Sequence, residues 1–254
     1  MTRIADRRSG KVYLIGAGPG AVDLITVRGM RLLAQADIVF ADALVDPGMR
    51  DYCPAAQWVE VGKRCGRHST AQHFINKQLV DAARKHAVVV RLKGGDPLLF
   101  GRADEELSAL EAAGIHCEVV PGITAALAAA ATLQQPLTKR GVSRSVTLAT
   151  QAKADATADA PGLPVDGTVV LYMGRDQSVE LALQLIASGR SPQTPVAIVE
   201  AASTPRERHL ALTLAQMAQG RAQAWIDREQ PCLLLVGEAL APRAAASLPL
   251  QAAS

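Results

Sequence analysis

The sequence predicts an α/β protein whose first half is a mainly parallel sheet covered by helices. Two observations carry that prediction. Between residues 11 and 133, short apolar runs rich in β-branched residues alternate with stretches of helical periodicity, the pattern of strand–helix–strand units. Glycine-bearing segments recur where the runs end, at residues 16–20, 62, 94–96, 121–125, 173–174 and 237. Open α/β sheets hold their ligands at the carboxyl ends of their strands, so a string of such loops implies a cleft lined by backbone, suited to a ligand with many hydrogen-bonding groups.

The elements follow in order. Val12-Tyr13-Leu14-Ile15 reads as a strand running into Gly16-Ala17-Gly18-Pro19-Gly20, and residues 24–36 read as a helix, with Leu24, Val27, Leu32 and Leu33 at helical spacing. Strands follow at Asp37-Ile38-Val39-Phe40, leading to Asp42, and at Trp58-Val59-Glu60-Val61, ending at Gly62-Lys63-Arg64. A second helix spans 70–85, with Ser69 or Thr70 as its N-cap. Val88-Val89-Val90-Arg91-Leu92 is too short for an ordinary helix and reads as a buried strand that ends in Lys93-Gly94-Gly95-Asp96-Pro97. A helix over 104–113 closes at Gly114, and Cys117-Glu118-Val119-Val120 precedes an alanine-rich helix reaching Leu133.

The texture changes after residues 136–142, and strands are expected at 145–150, 168–172, 195–200, 209–213 and 232–237. The chain therefore divides into an N-terminal α/β domain, 11–137, and a C-terminal α/β domain, 142–240, with flexible tails at 1–10 and 241–254. Residues 151–166, rich in Ala, Asp and Pro, read as a loop or mobile flap.

Composition bounds the function. With 49% hydrophobic and 20% charged residues, the chain belongs among globular proteins. No apolar run approaches the ~20 residues of a membrane helix, and no signal peptide is recognisable, so a cytoplasmic protein with no membrane partner is expected. Cys53, Cys65, Cys117 and Cys232 are scattered, and neither they nor the histidines show ligand spacing, so no metal site is expected. A net charge of +3 and 3% aromatic residues speak against nucleic acid, while a modest basic excess suits a polyanionic small molecule.

On their own, Gly94, Gly95, Asp96 and Pro97 describe either a tight turn capped by Asp96 or a loop that brings backbone close to a ligand. Residues 16–21 loosely fit a dinucleotide fingerprint, supported by Asp42 after the next strand. Pro19, however, removes a backbone donor where a pyrophosphate needs one. Lys63, Arg64, Arg67, Lys93, Arg102, Lys139, Arg140 and Arg144 gather around the same strand ends. Individually they read as a solvated rim, and together as a site for several carboxylates.

Several ordered blocks carry a specific resemblance: residues 12–20, Asp42-Ala43-Leu44-Val45, Val61-Gly62-Lys63-Arg64, Arg91-Leu92-Lys93-Gly94-Gly95-Asp96-Pro97, Phe100-Gly101-Arg102, residues 120–125 and 136–141, Tyr172-Met173-Gly174 and Val236-Gly237-Glu238. Over residues 11–240 the chain resembles the tetrapyrrole methylase family. The resemblance implies a homodimer with a two-domain fold: a mainly parallel N-terminal sheet, a mixed C-terminal sheet and an active site in the cleft between them. It implies methyl transfer from S-adenosyl-L-methionine, leaving S-adenosyl-L-homocysteine, to carbons 2 and 7 of uroporphyrinogen III, giving precorrin-2 by way of precorrin-1. Such chemistry feeds siroheme or cobalamin synthesis.

Matched motif by motif, Pro19, Gly94, Gly95, Asp96, Leu99, Thr124, Ala125 and Met173 fall at cofactor positions. Asp42 falls at the proton acceptor, Lys63 at the proton donor, and Arg102, Glu105 and Arg140 at positions facing the tetrapyrrole. Three departures stand out: Ala21 replaces an acidic residue, Gln151-Ala152 replaces a Gly-His pair, and Ala202 replaces a glycine that touches the cofactor. Bland roles remain open for single residues. Asp42 is also a plausible cap, Lys63 an exposed loop lysine, Met173 core filling, and Arg102 with Glu105 a surface ion pair. Competing functions are a sibling methylase acting on a later precorrin, a nicotinamide or flavin oxidoreductase using residues 16–21, and a non-catalytic binding protein.

Overall fold

The computed structural model describes residues 10–61, 68–150 and 162–242, with the backbone alone for 68–71. Lys63, Arg64, Cys65, Arg67, Gln151, Ala152 and most of both expected tails lie outside the described residues. The chain forms two compact units, one running to residue 129 and including Ala202–Pro205, the other holding 130–201 and the chain from Arg206 onward.

The first unit contains β1 (Lys11–Gly16), α1 (Val27–Leu33), β2 (Ile38–Asp42), β3 (Gln57–Val61), α2 (His68–Ala83), β4 (Val88–Lys93), α3 (Ala103–Ala112), β5 (Cys117–Val120) and α4 (Ala125–Thr132, whose last residues pass into the second unit). Its five strands lie in the order β3-β2-β4-β1-β5, all parallel, so every carboxyl end opens on the same edge. Period-two alternation feeds two cores. Val12, Leu14 and Val89 pack with Leu79 of α2 and Leu110 of α3, whereas Ile15, Val90 and Leu92 pack with Leu33 of α1 and Met49. Each fully buried leucine contributes about 1.5–3 kcal/mol relative to exposure.

The helix expected over 24–36 is shorter. A 3₁₀ turn occupies Val22–Leu24, the Thr26 side chain accepts from Gly29 N–H at the N-cap, and α1 ends at Leu33. Gly29 sits inside this short helix because a Cβ there would lie 2.9 Å from Ile15 Cγ2, so the helix can pack closely on β1. Helix α2 begins at His68, placing Ser69 and Thr70 in its first turn rather than at its cap. Gly114 stops the helical path as expected, with φ +69° and its N–H on Glu111 O at 2.9 Å.

The second unit holds β6 (Val146–Thr150), β7 (Thr168–Tyr172), α5 (Ser178–Ala187), β8 (Pro195–Glu200), β9 (Arg208–Thr213), α6 (Leu214–Ala218), α7 (Arg221–Trp225) and β10 (Cys232–Val236). Its sheet, ordered β6-β7-β10-β8-β9, is mixed: β6 and β7 are parallel and the other pairs antiparallel. Leu181, Leu185, Leu214 and Met217 from the helices close its core over Val169, Ile198 and Leu234. Among the described residues, no helix is long and apolar enough to cross a membrane.

Candidate active site

Three loops at the carboxyl ends of the neighbouring strands β4, β1 and β5 pack backbone against backbone. Gly18 and Gly95 exchange hydrogen bonds, at 2.7 Å from Gly95 N–H to Gly18 O and 3.2 Å in return. A Cβ on Gly16 would meet Gly95 O at 2.6 Å, and one on Gly122 would meet it at 2.2 Å. Glycine is thus required here by loop-on-loop contact as well as by the left-handed backbone of Gly95 (φ +66°). Asp96 locks the arrangement: Oδ1 accepts from Leu98 N–H at 2.8 Å and Oδ2 from Gly122 N–H at 2.9 Å. Asp96 therefore does cap its turn, and it also ties that turn to the loop after β5.

The first loop does not form a dinucleotide site. Ala17 N–H bonds to Lys93 O, Gly18 N–H to Gly95 O and Ala21 N–H to Ser203 Oγ, so these donors are consumed by the protein. No helix starts at the glycines, since α1 begins only at Val27. By contrast, the N–H groups of Gly94, Ile123 and Ala125 have no protein acceptor among the described residues, and all three residues are only half-buried. They offer donors to a ligand rich in acceptors.

Ala202 lies beside the first loop. It is buried between two left-handed residues, Ala201 (φ 47°) and Ser203 (φ 62°), and its carbonyl oxygen would be 2.9 Å from a Cβ on Gly20. Left-handed backbone recurs at Phe100, Arg102 and Met173, each with φ 54°. Such strain in non-glycine residues concentrates at functional sites. Met173, at the carboxyl end of β7 in the second unit, is 53% exposed and so does not fill a core.

Beneath the end of β2 lies a buried charge group. Alternation along β4 turns Val89, Arg91 and Lys93 toward the face covered by α2 and α3, so two cations occupy positions an apolar strand would fill with hydrocarbon. Arg91 donates to Glu106 Oε1 (2.9 Å), to Asp42 Oδ1 (2.5 Å) and to the carbonyls of Phe40 and Leu92 (3.3 and 3.2 Å). Lys93 Nζ donates to Glu106 Oε2 at 3.0 Å, and Gln72 Nε2 to Glu106 Oε1 at 3.1 Å. Arg91, Lys93 and Glu106 are at most 2% exposed, whereas the Asp42 side chain is 30% exposed.

Burial alone would raise the Glu106 carboxyl, but Arg91 and Lys93 outweigh it and hold that carboxyl below the ordinary range. Burial, and then the Arg91 charge, push the Lys93 ammonium below its usual value. Lys93 is therefore no rim cation, contrary to the expectation from its place beside the glycines. Nor does Asp42 cap the chain that follows: Val45 N–H bonds to its backbone carbonyl, while its carboxylate faces Arg91.

Arg102 and Glu105 form an exposed pair at the start of α3, with Nε to Oε1 at 2.6 Å and Nη2 to Oε2 at 2.8 Å. In the second unit, Arg140 is exposed at the tip of the turn closed by Lys139 and Ser143. Within the first unit the fold brings together Pro19, Gly94, Gly95, Asp96, Leu99, Thr124, Ala125 and Ala202 at one strand edge, with Asp42, Arg102 and Glu105 at the same edge. Met173 and Arg140 belong to the second unit, and Lys63 lies outside the described residues. Reading the residues alone missed Arg91, Glu106, Gln72 and Ser203. The signal available was two cations spaced two apart at the end of an otherwise apolar strand. A cavity of about 440 Å³ in the second unit, at the amino end of β7, is lined by Arg144, Asp166, Arg190 and Glu238. The Arg190 guanidinium there is spent on the carbonyls of Pro164, Asp166 and Gly167.

Comparison with known proteins gives this edge a context. The sequence pattern of the Tetrapyrrole (Corrin/Porphyrin) Methylases matches residues 11–218. The chain belongs to the tetrapyrrole methylase family. Among its relatives is a uroporphyrinogen-III C-methyltransferase of Pseudomonas aeruginosa, 43% identical over 91% of this chain and 94% of that protein. A siroheme synthase of Stutzerimonas stutzeri is 44% identical over 92% of this chain, which spans only 51% of that longer tetrapyrrole methylase homologue. Among solved structures, a uroporphyrin-III C-methyltransferase from Thermus thermophilus complexed with S-adenosylhomocysteine aligns with TM-score 0.78 and 37% identity, covering 91% of this chain and 94% of that one. A cobalt precorrin-4 methyltransferase aligns with TM-score 0.79 at 30% identity, covering 91% of this chain and 96% of that one. The parallel first sheet and mixed second sheet are thus those of a tetrapyrrole methylase.

Proposed function

We propose that this chain is an S-adenosyl-L-methionine-dependent C-methyltransferase that methylates uroporphyrinogen III at carbons 2 and 7, giving precorrin-2 by way of precorrin-1. The observation that carries the reading is the pairing of a backbone-lined loop cluster with a partly exposed carboxylate, Asp42, held from below by a buried guanidinium. The residues fit a sulfonium nucleoside. The N–H groups of Gly94, Ile123 and Ala125 supply donors for its polar groups, and half-exposed glycine backbone admits close approach. When bound, S-adenosylmethionine supplies a methyl group activated by positive charge on sulfur.

In this reading Pro19, Gly94, Gly95, Asp96, Leu99, Thr124, Ala125, Met173 and Ala202 bind the cofactor, and holding it in line with a nucleophilic pyrrole carbon supplies much of the catalysis. As the new carbon–carbon bond forms, the ring becomes cationic and must lose one proton, which the Asp42 carboxylate accepts. Arg102 and Arg140 hold substrate carboxylates, and Glu105 orients Arg102 through its paired contacts. Lys63 is assigned the proton-donor role on the resemblance alone. The protein is further proposed to act as a cytoplasmic homodimer in siroheme or cobalamin synthesis.

Incubating the purified protein with S-adenosylmethionine and uroporphyrinogen III should produce the absorbance of precorrin-2. The second reading, a sibling acting on a later precorrin, is favoured by the fold likeness to cobalt precorrin-4 methyltransferase, as high as that to the Thermus enzyme. Turnover of a later precorrin alone would replace the first reading by the second. Binding of S-adenosylhomocysteine without any methyl transfer would replace both by a binding protein.

A further inference from the structure

The charge group under β2 is larger than a strand end needs. Two cations, Arg91 and Lys93, face two carboxylates, Glu106 and Asp42, and three of the four are almost fully buried. Ions removed from water lose more hydration than a simple pairing restores, so hydrocarbon of the same size would serve folding as well or better. The arrangement therefore calls for a purpose other than stability.

Its geometry is directional. The Arg91 guanidinium is a flat fork whose three nitrogens are bound to different elements: Nε to Glu106 on α3, Nη1 to the Phe40 and Leu92 carbonyls on β2 and β4, and Nη2 to Asp42 Oδ1. With Nε and Nη1 anchored, Nη2 has one place to be, and Oδ1 of Asp42 is pinned to it. Oδ2 has no partner among the described residues. Glu106 is itself held by Lys93 and Gln72, and Gln72 bonds Asn76, whose side chain donates to the Glu105 carbonyl at 3.0 Å. A hydrogen-bonded chain, buried at Arg91, Glu106 and Gln72, thus runs from Asp42 at the end of β2 to Glu105 at the start of α3.

We propose that Arg91 is a positioning residue for the methyl-transfer reaction, pinning one oxygen of Asp42 so that the other is presented to the proton leaving the methylated ring. The inference rests on the reading of Asp42 as proton acceptor. Glu106, backed by Lys93 and Gln72, fixes the guanidinium in turn. Arg91, 2% exposed and with all three guanidinium nitrogens bonded within the protein, acts through Asp42.

The test is a double-variant cycle of Arg91→Gln and Asp42→Asn in the full chain, read as single-turnover methylation of uroporphyrinogen III with enzyme in excess, alongside steady-state constants and calorimetric affinity for S-adenosylhomocysteine. Arg91→Gln should lower kcat at least about tenfold while leaving KM and S-adenosylhomocysteine affinity within about twofold. Added to Asp42→Asn, it should change the residual rate by less than about twofold, because the two residues act as one unit. Full kcat in Arg91→Gln alongside a crippled Asp42→Asn overturns the role of Arg91 and leaves Asp42 standing. Full kcat in Asp42→Asn overturns the proton-acceptor reading itself. Where Asp42→Asn shows no measurable rate, the split decides: a loss confined to KM or to S-adenosylhomocysteine affinity overturns the proposal. Should Arg91→Gln fail to fold, Arg91→Lys keeps the charge balance but cannot reach Glu106 and Asp42 together. The same loss of kcat is then expected, and wild-type kcat in that variant overturns the proposal.

Discussion

Asp96 Oδ2 accepts a hydrogen bond from Gly122 N–H at 2.9 Å, joining the loop after β4 to the loop after β5 across 26 residues of sequence. One carboxylate therefore sets both the shape of its own turn and its distance from a neighbouring loop.

Replacing Asp96 by Ala should cost about 1–3 kcal/mol of stability, since two backbone donors lose a charged acceptor. It should also abolish measurable S-adenosylhomocysteine binding. Asp96→Asn, with a single acceptor oxygen for two donors, should fall between. Urea unfolding with calorimetry checks both effects, and undiminished affinity in Asp96→Ala would detach this loop from the cofactor.

Gly122 and Gly114 should answer differently to Ala. The new Cβ at 122 would sit 2.2 Å from Gly95 O, a backbone clash that only movement of the loops relieves. A loss above about 4 kcal/mol, or failure to fold, is expected. At Gly114 the Cβ meets nothing within 4 Å and only the left-handed backbone (φ +69°) is penalised, by about 1–2 kcal/mol. Thermal unfolding of the two variants measures the contrast.

Glu106 should dominate a part of the acid sensitivity. Its folded carboxyl lies below the ordinary value of about 4.3, so its contribution to stability is complete above that pH and fades as pH falls through the lower folded value. Glu106→Gln leaves two buried cations short of a counter-charge and should cost about 3–5 kcal/mol at pH 7. Its stability should then decline less steeply than that of the parent below about pH 4. Urea titrations between pH 7 and pH 3 would expose parallel curves if this assignment were wrong.

Met173 should matter to ligand and hardly to fold. At 53% exposure and φ 54°, Met173→Gly loses little packing and gains backbone ease, so stability should stay within about 0.5 kcal/mol or rise. S-Adenosylhomocysteine affinity should drop at least about fivefold through lost side-chain contact. Calorimetry on the folded variant checks it; unchanged affinity would remove Met173 from the site.

Much of this protein is written locally. Thr168–Tyr172 and Pro195–Glu200 occupy the residues that their apolar runs predicted, because strand period and flanking turn chemistry act over a few residues. The glycine loops fall at strand ends for the same reason, and those after β4, β1 and β5 pack together. Helix α1 departed from its pattern because Thr26 offered a better cap than Leu24 did a start, and the 3₁₀ turn took the residues before it. What only the tertiary structure decided is which groups face each other. Arg91 meets Asp42 across 49 residues and Glu106 across 15, and no periodicity encodes such meetings. Apolar alternation says which face of β4 is covered, whereas the order of the strands and the placing of α3 decide that a carboxylate waits there.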